Sequence, residues 1–411
     1  MPHPQVNLRL GGAVLAMVLA LACGTARATD WQLSIDTRLV SSDADRSVMD
    51  GGFGPVRFDR EDAALQLGRL RLALTQAIAE LWSVHLDASV YDDKGGALAG
   101  FSEAFVQWRP YPRAGYRLRL KAGGFYAPVS LENRAAGWDS PYTLSYSAID
   151  SWLAVEVRTL GLEANLDWLG TRLGHDFDLG VTAAVFGWNQ GAGTVLAGTG
   201  FSLTDRQTPL FGRVGQPGPP LPTSSEPFVQ IDGRLGGYGG LEARYLDRLT
   251  LRVLRYDNRA DPSATNTVAN TIAWNTRFTS AGLRAESAGG WTGIVQWLQG
   301  ETRIAPGGFE IEWPFESAYA LVSRRWGPHT FSGRYDRFSV EVRGIDGDGA
   351  QSGHAWTAAY GFEPNAHWRF TLEWLQVQAS SYNRDEYVGS PWSVQTQVQL
   401  AVRYSLGSTN R

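Results

Sequence analysis

From Trp31 to Leu406 apolar and polar residues alternate one by one, in runs of about ten. Side chains two apart lie on one face of a strand, so this period predicts strands with one apolar and one polar face. In the last run Val394, Thr396, Val398, Leu400, Val402, Tyr404 and Leu406 share one face. Gln395, Gln397, Gln399, Ala401, Arg403 and Ser405 share the other. Trp31 to Leu39, Trp82 to Val90, Tyr116 to Ala122, Leu160 to Trp168 and Trp368 to Trp374 repeat the scheme, with charges on the polar face. A dry core would not accept those charges unpaired. The conflict disappears if the polar face lines water and the apolar face meets lipid, and a tilted membrane strand needs ~9–11 residues. Three runs break phase. A slip between Leu67 and Leu70 predicts a bulge, Leu254 falls on the polar side, and Arg337 falls on the apolar side.

The pattern predicts strands near 30–40, 62–76, 80–92, 100–110, 115–126, 154–169, 175–190, 235–246, 248–258, 275–287, 290–302, 314–326, 328–342, 352–363, 366–380 and 392–406. That is about sixteen, an even number, as in bacterial single-chain barrels. Connections alternate between short ones (170–174, 247, 288–289, 327–328, 364–365) and long ones (41–61, 127–153, 191–234, 259–274, 343–351). Short turns at one end and long loops at the other are the transmembrane-barrel arrangement. No blade-length repeat points to a propeller. The segment 191–234, rich in Gly, Pro and Ser, is expected to be an external loop and not a linker, because the same alternation flanks it. The expected fold is therefore all-β, one transmembrane antiparallel barrel over 29–411.

Composition narrows the class. Apolar residues make up 43% and charged residues 19%, which excludes disorder. The single cysteine, Cys23, excludes a disulfide scaffold. A formal charge of −4 argues against a nucleic-acid binder. After residue 28 no run approaches the ~18 apolar residues of a spanning helix. The start does: Arg9, an apolar run from Leu10 to Cys23, and Ala26-Arg27-Ala28 predict an export leader over 1–28, cut before Thr29. Cys23 raises a lipoprotein alternative, which Ala20 three residues earlier does not favour.

Gly124-Phe125-Tyr126-Ala127-Pro128-Val129-Ser130-Leu131-Glu132-Asn133 resembles a segment of the phosphate-selective porin O/P family. Trp138 to Thr143, Ala148 to Trp152, Glu156 to Thr159, Ala281 to Glu286, Gln296 to Thr302 and Gly333 to Phe338 extend the likeness. The resemblance implies a sixteen-stranded outer-membrane porin of a Gram-negative bacterium, a homotrimer in contact with lipid and lipopolysaccharide, whose third external loop narrows the pore. It implies no cofactor. The chain departs from the family in charge: Lys94 and Lys121 are its only lysines, so phosphate specificity does not carry over.

A channel needs a pore and a charge pattern. Arg69, Arg71, Arg117, Arg119 and Lys121 are inward by alternation, with Arg71, Arg119 and Lys121 expected near mid-height. The loop after the fifth strand carries Glu132, Asp139 and Asp150, with Glu156 at its return. If that loop folds inward, acids face a basic wall, a transverse field that orients dipolar solutes. The alternative is that these charges are solvated or mutually paired. Passage of small hydrophilic solutes, anions among them, is the expected function. A barrel enzyme and an exported adhesin are the competing classes. His85 and Asp87 share one inward face, but no nucleophile accompanies them. His175, His329, His354 and His367 fall near turns or strand ends. Asp346-Gly347-Asp348-Gly349 lacks the spaced ligands and terminal Glu of a calcium loop.

Overall fold

The computed structural model describes residues 29–62, 64–92, 99–215, 224–266, 271–347 and 349–408. The expected leader, with Cys23, lies outside them. Sixteen antiparallel strands close into one barrel. They are β1 (Thr29–Ser42), β2 (Leu65–Ala79), β3 (Trp82–Val90), β4 (Ala99–Trp108), β5 (Tyr116–Phe125), β6 (Thr159–Trp168), β7 (Phe177–Gly187), β8 (Gly236–Tyr245), β9 (Leu249–Asp257), β10 (Asn275–Glu286), β11 (Trp291–Ile304), β12 (Ile311–Trp326), β13 (His329–Val340), β14 (Gln351–Phe362), β15 (Trp368–Ser381) and β16 (Trp392–Gly407). Each strand pairs with its neighbours in sequence, and β1 closes the ring on β16 with Leu39 opposite Leu400. Closure leaves no unpaired edge, which a lipid environment would not tolerate.

Alternation decides which face each side chain takes. Leu162 and Leu241 are 65% and 64% exposed and point outward, as do Val295 and Leu400. Trp31, Trp82, Trp291, Trp326 and Trp368 are exposed where strands meet the short turns, an aromatic girdle at one rim. The turns are tight: Leu246 and Asp247 both take positive φ, which matches the twist of the strands they join. Among the described residues no helix is long and apolar enough to cross a membrane.

The three phase breaks have separate causes. The pairing of β1 with β2 shifts between Asp36 and Thr37, leaving Gly68 as the bulged residue. A Cβ on Gly68 would lie 2.6 Å from Arg38 Nε, so the bulge needs glycine there. Leu254 faces inward and is buried, because the lumen beside it is apolar. Arg337 points outward near the loop end of β13 and is exposed. Most boundaries differ from expectation by three residues or fewer, and one by more. The strand predicted from 154 starts at Thr159, since residues 148–156 form a helix, α1 (Ala148–Glu156).

Candidate functional site

The long connection 126–158 folds into the barrel and carries α1, whose N-terminus is capped by Ser147 accepting from the Asp150 amide at 3.2 Å. A second connection, 188–235, also enters and carries the short helix α2 (Thr194–Thr199). The segment 191–234, expected to be external, is therefore partly internal. Ile149, Trp152, Leu153, Leu196, Phe201 and Leu203 pack against inward Phe186, Tyr256, Phe278, Leu298, Phe315 and Phe338. Trp152 lies 5.3 Å from Phe278 and 4.9 Å from Phe315, edge to face. The inward side chains in the loop-end half of β10–β16 are buried, so this half of the barrel is a packed core.

Polar anchors hold the inserted loop. Arg334 of β13, fully buried, donates to Glu132 at 2.7 Å, to Asp336 at 2.8 Å, and to the Ser145 and Tyr146 carbonyls at 2.8 Å. Asp336 also accepts from the Ala148 amide at 3.0 Å, and Glu373 of β15 accepts from the Leu144 and Ser145 amides at 2.6 and 3.0 Å. Glu156, at the end of α1, accepts from the amides of Gly193, Val195 and Leu196 and from the Trp152 indole, joining the two inserted connections. Burial pushes Glu156 up to about 7, against those amide hydrogen bonds. Among the described residues Asp150 forms no ion pair with a wall arginine; it accepts from Ser130 at 2.8 Å, and burial beside Glu132 raises it well above the carboxylate range.

The nine candidate lumen residues separate into groups. Arg69 is buried and pairs with loop Asp139, which Arg403 also reaches at 2.8 Å. Burial would push Asp139 up, but Arg69 and Arg403 hold it down, at about 2. Here a loop acid meets arginines of the barrel wall. Arg71 turns instead to Asp87 on its neighbouring strand, its Nε at 2.9 Å. Arg117 and Arg119 converge with Arg244 on Asp167, at 2.8, 3.3 and 3.6 Å, and Lys121 pairs with Glu163 at 3.1 Å. Those side chains are part-exposed in a vestibule at the turn end. Glu132, Asp150 and Glu156 lie in the dry interior, away from the basic wall of β5.

Alternation placed Arg334, Asp336, Arg38 and Asp36 inward, but only the folded loop shows that they anchor it. The same holds for Asp205, which sits in the second connection and binds Arg38 and Arg57 at 2.5 and 3.0 Å. His85 meets the Thr75 hydroxyl at 2.9 Å through Nδ1. Asp50, Asp59 and Asp62 in the first long loop bring carboxylate oxygens within 4.8 Å of one another. Asp59 accepts from the Glu61 amide and Asp62 from the Asp59 amide, so loop contacts already engage them. The Asp346–Gly349 motif includes Asp348, outside the described residues.

A cavity of about 390 Å³ opens under the loop between Arg71, His85, Glu103, Asn133 and Trp138. A neighbouring one of about 230 Å³ lies between Arg71, Asp139, Arg369 and Arg403.

No family model matches the chain, and no characterised protein matches it in sequence. Solved structures match its fold. OmpT, an outer membrane protein of Vibrio cholerae in a trimer form, superposes with a TM-score of 0.52 at 9% identity, over 93% of this chain and all of its own. The outer membrane channel DcaP of Acinetobacter baumannii gives 0.51 at 10% identity, over 92% of this chain and 96% of its own. An anion-selective porin from Comamonas acidovorans gives 0.50 at 13%, over 92% and 99%. With its closed sixteen-stranded ring and outward apolar belt, the chain has the fold of a porin-type β-barrel.

Proposed function

We propose that the protein is an outer-membrane channel for small hydrophilic solutes, with the turn end toward the periplasm and a plug of inserted loops controlling passage. The observation that carries this is the combination of a lipid-compatible closed barrel with a charged, part-exposed vestibule around Asp167. The inward charges pair with one another or hold loops, which supports a non-enzymatic role. The packed upper lumen distinguishes this barrel from a plain wide pore: the apolar contacts of Trp152 and Phe201 must shift, or a narrow path must skirt them.

Arg117, Arg119, Lys121, Arg244 and Arg252 outnumber Asp167, Glu163 and Glu242 in the vestibule, an excess of positive charge that favours anions there. The likeness to the phosphate-selective porin O/P family rests on short motifs, and their residues serve here largely as loop anchors: Ser130, Glu132 and Asp336. A homotrimer, contact with lipopolysaccharide, and removal of 1–28 complete the reading. Mass spectrometry of the outer-membrane form should find Thr29 first, and a lipid-modified Cys23 would refute that cleavage. Planar-bilayer recording of the purified protein tests the function itself. Discrete, voltage-driven current steps are expected, and their absence from heat-modifiable, correctly folded protein would refute a channel.

A further inference from the structure

The plug meets the wall in two different ways. Toward β10–β15 the contact is largely apolar, built from Phe278, Leu298, Phe315, Phe338, Leu375 and Val377, with Arg334, Asp336 and Glu373 as its polar anchors. Apolar packing of this kind stays dry and gives a solute nothing to hydrogen-bond. Toward β1–β4 the contact is polar, built from Asp36, Arg38, Arg69, Asp87, Ser89 and Ser102, all buried.

Within that polar contact Arg69 Nη1, Ser89 Oγ, Tyr91 Oη and Tyr126 Oη are buried without a hydrogen-bond partner. Each such group costs about 1–3 kcal/mol; the apolar contact holds one of its own, Ser317 Oγ, whereas here four cluster around one pair of tyrosines. They lie together: Ser89 and Tyr91 follow one another on one face, and Tyr91 is an electrostatic neighbour of both Arg69 and Tyr126. Their rings are held in place. The Arg206 guanidinium lies 3.8 Å from the Tyr91 ring, Arg158 lies 3.8 Å from the Tyr126 ring, and Trp138 stacks on Tyr126 at 4.1 Å. Arg158 is held by the carbonyls of Ser102, Ala154 and Thr208, with no carboxylate in ion-pair range among the described residues. Beside Tyr126 its counter-charge is Glu103, which accepts from the Tyr126 amide at 3.1 Å and lies within electrostatic reach of Arg158 without forming an ion pair with it. The 390 Å³ cavity, with Trp138 in its lining, leads to this seam from the turn end.

We infer that solutes pass along this polar seam between the plug and β1–β4, and that Arg69, Tyr91 and Tyr126 recognise a small oxyanion there. The inference rests on the channel reading. One guanidinium nitrogen and two phenolic hydroxyls offer donors to an acceptor-rich solute such as a carboxylate, and Arg158 supplies the field.

Cysteine accessibility tests it, because residues 29–411 contain no cysteine. Ser89→Cys places a thiol in the seam and Ser317→Cys places one in the apolar contact; both are nearly isosteric, and both positions are inward and buried. Each full-length protein is recorded in bilayers before and after an anionic methanethiosulfonate reagent. Current through Ser89→Cys should fall about twofold or more while Ser317→Cys is unaffected. In parallel, Tyr91→Phe with Tyr126→Phe should lower the acetate-to-chloride permeability ratio roughly threefold, the order of a lost hydrogen bond. A conducting Ser89→Cys channel insensitive to the reagent, or a block confined to Ser317→Cys, overturns the route. An unchanged permeability ratio overturns the recognition. A wild-type protein that carries no current removes the channel reading and this inference together.

Discussion

Glu156 shows how one buried carboxyl can couple two loops. Its folded-state value of about 7 lies above the ordinary carboxylate value of 4.5. The packed state therefore holds its proton where a solvated Glu156 has lost it, and the packed state weakens as pH rises from about 4.5 to 7. Asp150 is raised too and acts in the same direction. Asp139 and Asp205 are lowered, so their stabilisation is complete above the ordinary carboxylate value of 3.8 and is lost only as the pH falls below it. Channel opening, read as open probability in bilayers, should increase between pH 5 and about 7.5. Glu156→Gln, which stays neutral and still accepts amide bonds, should flatten that dependence. Arg334 is the other residue with a large expected effect. Arg334→Leu strands Glu132 and Asp336 without their cation, and breaking a buried pair from one side costs about 3–5 kcal/mol. The inserted loop should become a protease target while the barrel keeps its heat-modifiable gel mobility.

At the level of elements, strand existence and facing follow from alternation, but wetness does not. Gln399 is inward, as its phase predicts, yet it is buried and accepts from Arg38 at 3.0 Å. A lumen-facing residue is therefore not automatically a solvated one. Thr182 in β7 faces the part-open vestibule, bonded to Asn165 at 2.8 Å. Leu400→Arg, on the lipid face, should reduce membrane assembly, since arginine at mid-bilayer costs roughly 2–4 kcal/mol. Thr182→Arg should assemble normally, and equal yields of the two would contradict the assignment of faces. The segment 154–158 shows the opposite limit. Its apolar residues are compatible with a strand, but Ser147 caps a helix there and the barrel wall supplies its apolar partners.

For the whole molecule, the vestibule and the plug divide the work. On the proposed channel reading, the vestibule collects charge at one end and the plug decides what crosses. Replacing Arg119 and Lys121 with Gln leaves Asp167 and Glu163 with fewer cations. The reversal potential in a salt gradient should shift toward cation preference. An unchanged reversal potential would move selectivity wholly to the seam. Acids on the outer loops matter less, because they are screened beyond about 8–10 Å at ordinary salt.

A period of two persisting over sixteen runs determined the barrel, its strand count, its lipid face and its long-loop end, because strand geometry ties residue parity directly to facing. The bulge at Gly68 was legible for the same reason: it shifts the parity. Which inward charges meet was not legible. Glu132 lies 202 residues from Arg334, and Asp205 lies 167 from Arg38. No local periodicity encodes such a contact, and only the path of two loops through the lumen creates it. The same path turned a lumen expected to be wet into one that is half packed core, because apolar residues at inward positions of β7 to β15 find their partners on loops remote in sequence.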